Sequence, residues 1–231
     1  MDKTEENVKP VKNRKRFRLI LNISIIVFSV ILLAVEGVVW YQRSYLTPFW
    51  VNGQSMYPTL NLHATDKNGN ELGPAPADPS AREGYTVDYG VMDTHAKAIN
   101  KLKRFDVVVT KYTTQDTSNK IKRVLGLPGE TVEFKNDGDL YINSAYVAQP
   151  ISDEYIKGAS YPTGVITLGS DEYYVAGDNR KHSYDSTNIG PIKKDWITGK
   201  AIAICGTAKV FLDDKNFYDV GDIKYTWPRY L

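Results

Sequence analysis

From Leu19 to Val39 the chain reads LILNISIIVFSVILLAVEGVV, an almost continuous apolar run that no later segment repeats. At about 1.5 Å of rise per residue, such a run spans roughly 30 Å as a helix, the thickness of a bilayer's hydrocarbon core. The pattern predicts one membrane-crossing helix over 19–41. Glu36 is its misfit, tolerable close to the interface, where a carboxylate reaches water, and Trp40 and Tyr41 follow as interfacial anchors. A cleavable secretory signal has a shorter apolar core closed by a small-x-small site, and no A-x-A site follows here.

Beyond the anchor the periodicity changes. Short β-type runs alternate with turn signals: RFDVVVTK (104–111), IKRVLGL (121–127), TVEF (131–134), LYI (140–142), EYYVA (172–176) and KAIAICGTAKVFL (200–212). None keeps a 3.6-residue apolar period, so they predict antiparallel sheets. The stretch 65–84 carries Asn68-Gly69, Gly73-Pro74, Pro76 and Pro79 and reads as a long polar loop. The fold class expected is mainly β, an N-terminal transmembrane helix followed by a domain of antiparallel sheets. The aromatics of the closing YTWPRYL read as core or incidentally exposed residues.

Charge adds orientation. Residues 1–18 hold Lys3, Lys9, Lys12, Arg14, Lys15, Arg16 and Arg18 against Asp2, Glu5 and Glu6, a basic tail. The positive-inside rule puts that tail in the cytoplasm and the chain from 42 onward outside the membrane. Over all 231 residues, Lys+Arg 29 nearly balances Asp+Glu 27, which gives no footprint for a nucleic-acid partner. A single cysteine, Cys205, excludes an intrachain disulfide framework and any zinc site built from several cysteines. An aromatic share of 12%, with 16 Tyr, leans toward strands.

Three clusters could carry chemistry. In Phe49-Trp50-Val51-Asn52-Gly53-Gln54-Ser55-Met56-Tyr57-Pro58-Thr59-Leu60, a serine stands in a tight turn that exposes a hydroxyl beside a backbone N–H. Most such serines are structural, so the signal needs a base. No spacing singles out His63, His95 or His182. A lysine serves if apolar burial keeps it neutral, and Lys122 lies within Ile121, Val124 and Leu125, ahead of the turn Gly126-Leu127-Pro128-Gly129. The third cluster, 177–186, is dense in side chains that bond backbone and each other, suited to bracing a site.

Taken in order after a single anchor, the boxes GQSMYPTL, RFDVVV, IKRVLGLPGE and GDNRKHSYDS resemble the bacterial type I signal peptidases, serine/lysine proteases that remove signal peptides. The resemblance spans the anchor and most of residues 50–210. It implies Ser55 as nucleophile, Lys122 as general base and Ser183 as the residue orienting that lysine. It also implies an Arg123–Asp178 ion pair, with Asp185 holding the same loop. Val51, Met56, Leu60 and Ile121 would wall pockets for small side chains. The implied enzyme needs no metal or organic cofactor, takes secreted preproteins as substrates and works at the lipid bilayer, single-pass in the cell membrane. The chain then divides into a cytoplasmic tail (1–18), an anchor (19–41) and an extracytoplasmic catalytic β-domain (42–231).

Departures from the family pattern fall at Gly53, where some members carry an oxyanion-binding serine, at Thr187, where arginine is common, and at Phe105, where glycine is usual. Lysine at 122 is the bacterial form, not the endoplasmic-reticulum form with histidine. Two rivals stand beside this reading. One is another Ser/Lys protease, such as a self-cleaving repressor or a pilus-type maturation peptidase; a cytoplasmic repressor would lack the anchor and carry a DNA-binding module. A non-catalytic, membrane-anchored β-domain that binds an extracytoplasmic partner would separate Ser55 Oγ from Lys122 Nζ by more than about 4 Å.

Overall fold

Helix α1 (Val11–Tyr45) is the first element of the computed structural model, which describes residues 11–73, 83–113, 115, 118–213 and 218–231. The first ten residues of the basic tail and residues 74–82 of the polar loop lie outside that description. Within α1, Arg16–Tyr45 is long and apolar enough to cross a membrane, by length and composition. The helix begins before Leu19 and ends after Tyr41 because the flanking residues carry no glycine or proline to stop it. It forms one compact unit, and residues 46–231 form another.

The second unit is built on antiparallel sheets, as the strand-like runs predict. Its strands are β1 (Leu46–Trp50), β2 (Thr86–Asp93), β3 (Val107–Thr110), β4 (Lys120–Gly126), β5 (Thr131–Lys135), β6 (Asp139–Ile142), β7 (Ala145–Val147), β8 (Ile166–Thr167), β9 (Glu172–Ala176), β10 (Ile192–Lys193), β11 (Ile197–Leu212) and β12 (Tyr218–Tyr230). One sheet runs β1-β2-β11-β3-β4-β9-β10, with β12 also paired to β11; a smaller one runs β7-β6-β5-β8. Strand β11 shows why the sheet forms. Ile197, Gly199, Ala201 and Ala203 are buried, while the residues between them are less so, the period of a strand with one face on the core.

Three apolar clusters fill the interior. One joins the small sheet to β4 and β9 through Leu125, Val132, Leu140 and Tyr174. A second gathers Leu102, Val108, Val124, Val175 and Ile192. The third, Val51, Met56, Leu60, Val107, Ala201 and Ile204, lies beneath the turn that carries Ser55.

Strands β1, β2, β7, β8, β10 and β12 have no counterpart among the predicted runs. Pro48 disguises β1, yet proline is tolerated at the edge strand it occupies. Strand β12 is interrupted by charged residues and by Pro228. Tyr225, Trp227 and Tyr230 are surface residues, with Trp227 94% exposed.

Candidate active site

The turn after β1 is fixed from both sides of Ser55. Val51 precedes it and Met56 and Leu60 follow it, all buried in the third cluster, with Ile121 packed against them. The Tyr57 N–H donates to the Gln54 carbonyl at 3.1 Å and the Leu60 N–H to the Met56 carbonyl at 2.9 Å, closing the turn. Gly53 has φ 118, a conformation that glycine adopts without strain, so the position occupied by serine in some similar sequences carries backbone geometry here. The Ser55 hydroxyl is left at the partly exposed rim.

Strand β4 brings the lysine to it. Lys122 Nζ donates to Ser55 Oγ at 2.8 Å and to the Ile121 carbonyl at 3.0 Å. Only 3% of Lys122 is exposed. Burial pulls its pKa down to about 8; the charges of Asp185 and Asp178 oppose this fall and that of Lys120 reinforces it. The amine therefore faces a hydroxyl in a site that disfavours its charged form.

The next residue, Arg123, points toward the loop after β9. Its Nε reaches Asp178 Oδ1 at 2.7 Å and a second nitrogen reaches Oδ2 at 2.6 Å, a bidentate buried pair. Thr59 Oγ1 donates to Asp178 Oδ2 at 2.5 Å, so the serine's own turn joins the pair. Arg123 also donates to the Phe105 carbonyl at 2.8 Å. Phe105 has φ 71, a left-handed backbone, which accounts for glycine being expected there.

The 177–186 loop is held by Asp185. One of its oxygens accepts the Gly177 N–H at 2.7 Å and the Ser183 hydroxyl at 2.5 Å. The other accepts the Thr187 N–H at 3.0 Å and its hydroxyl at 2.9 Å. Thr187 thus supplies two donors where an arginine was the expected partner. Ser183 is bonded to Asp185, and Lys122 to Ser55 and Ile121, so the structure brings Ser183 to the loop's carboxylate and not to the amine. The Asn179 N–H donates to the Ser55 carbonyl at 3.0 Å, tying the loop to the turn.

Of the histidines, His182 belongs to the 177–186 loop itself, exposed, its N–H donating to the Asn179 carbonyl at 3.0 Å, and the other two stand elsewhere. His63 pairs with Glu71 at the surface and His95 accepts the Lys97 N–H at the start of a short helix. Among the described residues, no group of three or more His, Cys, Asp or Glu is arranged to hold a metal ion. Thr59, Asn61 and Asn179 were not singled out in the sequence. Thr59 lay inside a recognised box, but only the fold shows its hydroxyl meeting Asp178.

Comparison with known proteins gives a consistent picture. The model of the signal peptidase family, peptidase S26, matches residues 20–205. The chain is 33% identical to signal peptidase I S of Bacillus subtilis (strain 168) over 178 residues, 73% of this chain and 82% of that protein. It is 35% identical to signal peptidase I T of the same strain over 160 residues, 66% of this chain and 69% of the relative. Signal peptidase I V of that strain is 32% identical over 160 residues, 64% of this chain and 79% of the relative.

Proposed function

The chain belongs to the signal peptidase (peptidase S26) family, and we propose that it removes signal peptides from exported preproteins by Ser55/Lys122 acyl-enzyme catalysis. The observation that carries this reading is the 2.8 Å contact between Lys122 Nζ and Ser55 Oγ in a buried setting.

A pKa near 8 leaves about a tenth of the amine neutral at pH 7, enough to accept a proton and far more than an ordinary lysine provides. Neutral Lys122 takes the Ser55 proton as Oγ attacks the scissile carbonyl. The Ser55 N–H, which donates to no acceptor among the described residues, is available to the oxyanion. The protonated lysine then gives its proton to the leaving amine. In the second half Lys122 activates water, which opens the acyl-enzyme and frees Ser55.

The substrate has a place to lie. Strand β4 pairs with β3 from Lys120 to Arg123, but β9 pairs with it only from Arg123 onward. The other side of Lys120–Lys122 is therefore an edge at which an extended cleavage region adds as a strand, with side chains meeting the partly buried Ile121; Val51, Met56 and Leu60, expected to wall the pockets, lie fully buried beneath it. Arg123, Asp178, Ser183 and Asp185 support the site without touching the reacting atoms. Helix α1 anchors the enzyme in the cell membrane, the basic tail on the cytoplasmic side and the β-domain outside, which concentrates it near signal peptides still in the bilayer.

The test is preprotein cleavage by the purified full-length chain. Ser55→Ala and Lys122→Ala should each abolish turnover while the β-domain keeps its circular dichroism. Near wild-type turnover in either variant overturns the dyad and returns the chain to a binding role.

A further inference from the structure

Strand β12 lies outside the stretch matched by the family model, and it is an edge strand whose Tyr225, Trp227 and Tyr230 face solvent. One of its side chains, Arg229, half exposed, reaches back across the domain. Arg229 donates from one nitrogen to the Thr59 carbonyl at 2.8 Å and from another to Asp88 Oδ2 at 3.0 Å. Both acceptors lead to the turn that holds Ser55.

The Thr59 connection is direct, because Thr59 belongs to that turn and its hydroxyl is committed to Asp178. The Asp88 connection runs through Asn61. Asp88 Oδ2 also accepts the Asn61 N–H at 2.9 Å, and the Asp88 N–H donates to Asn61 Oδ1 at 2.8 Å. The Asn61 side chain, fully buried, uses its amide to donate to the carbonyls of Val51 at 2.9 Å and Gly53 at 3.1 Å. The Asp88 carbonyl accepts the Val51 N–H at 3.0 Å. The backbone on the N-terminal side of Ser55 is thus hung from Asn61, Asn61 from Asp88, and Asp88 from Arg229. Asn61 has φ 60, so its amide is aimed by a left-handed backbone that the network must hold.

We propose that Arg229 is a positioning residue for catalysis, fixing the Ser55 turn at the Thr59 carbonyl and, through Asp88 and Asn61, at the carbonyls of Val51 and Gly53. This rests on the reading that Ser55 is the nucleophile. The charge is needed where it stands: burial pushes the Asp88 carboxyl up, and the Asn61 N–H, Arg229 and His63 pull it back. Leu231, two residues on, fastens the strand by donating its N–H to the Ile202 carbonyl at 2.9 Å and packing on the cluster of Met56 and Leu60. A nucleophile must be held to well under an ångström of its productive position, and displacement of that size is costly in rate.

The experiment uses the full-length enzyme in detergent micelles with a preprotein substrate, measuring kcat, KM and thermal midpoint. Arg229→Ala should lower kcat about tenfold with KM changed less than about twofold. Arg229→Lys should also lose several-fold, because one ammonium cannot reach both acceptors with a planar fork's geometry. Trp227→Ala, on the same strand and 94% exposed, should match wild type. Asn61→Gly keeps the left-handed backbone but removes the amide; combined with Arg229→Ala it should lose less than the product of the two single losses, since both break the Asp88–Asn61 chain and only Arg229 also holds the Thr59 carbonyl. Wild-type kcat in Arg229→Lys, or losses in the double variant that multiply as for independent sites, would overturn the proposal, and Arg229→Lys decides if Arg229→Ala does not fold. Ser55→Ala is run alongside: cleavage that survives it refutes the nucleophile, whereas cleavage lost there but untouched by Arg229 variants refutes only the positioning role.

Discussion

The Ser55 carbonyl accepts the Asn179 N–H at 3.0 Å, so the turn that presents the hydroxyl and the loop after β9 are joined at the proposed nucleophile itself. Neither segment can shift without carrying the other. The lysine on β4 sits beside both, and the site behaves as one mechanical piece.

The joint leaves no room at Gly177. A Cβ built there would lie 2.4 Å from the Ser55 carbonyl oxygen and 2.6 Å from Ser183 Cβ. Gly177→Ala should therefore reduce kcat/KM by about a hundredfold, because the carbonyl and the turn behind it must move. Steady-state cleavage assays check this, and an unaffected enzyme would show that the two segments are not rigidly coupled.

The pH dependence follows from Lys122. Its charged form is inert as a base, so activity is low in acid and rises as the amine loses its proton; with a pKa lowered to about 8, the rising limb of kcat/KM should centre near pH 8. A profile centred in the histidine range, or one indifferent to replacement of Lys122, would contradict the assignment. Histidine-directed reagents should leave the rate intact.

Ser183 donates to Asp185, not to the amine, and so acts at one remove. Ser183→Ala should slow cleavage less than Ser55→Ala does, by about tenfold, through loosening of the carboxylate that also holds Gly177. Unchanged kcat would reduce that hydroxyl to a structural role.

Asp178→Ala tests stability more than chemistry. It leaves the Arg123 guanidinium buried without its carboxylate, and removing one member of such a pair costs about 3–5 kcal/mol. Denaturant unfolding of the full chain should show a midpoint well below wild type.

Orientation is checked by protease added outside intact spheroplasts. Digestion should remove the β-domain and spare the basic tail, as seven cations before Leu19 require. Protection of the β-domain would invert the arrangement.

Much of this was legible in the sequence. The anchor announces itself by apolar length, and EYYVA is β9 residue for residue. Ser55 and Lys122 are 67 positions apart, and only the order of recognised boxes linked them. What stayed hidden is what long-range pairing decides. Nothing local marks Asn61 as the residue that carries Val51 and Gly53, because its partner Asp88 arrives on β2, a strand whose polar content masks it. Arg229 likewise looks like one more surface cation until β12 lays it over Thr59. The partner of Asp185 was obscured for another reason: a threonine hydroxyl and its N–H can replace a cation, an exchange that residue type alone does not signal.

The free side of β4 carries one more consequence. An unpaired strand edge beside the proposed nucleophile invites any extended chain, including segments of the enzyme's own neighbours. Here it runs only from Lys120 to Lys122 before β9 closes it. Backbone pairing over so short a template holds a visitor weakly and briefly. On the proposed reading discrimination falls to side chains, and a passing strand with bulky residues should dissociate before it is cut. On the proposed reading the brevity of the edge is a safeguard, keeping the site from acting as a general protease or a seed for aggregation.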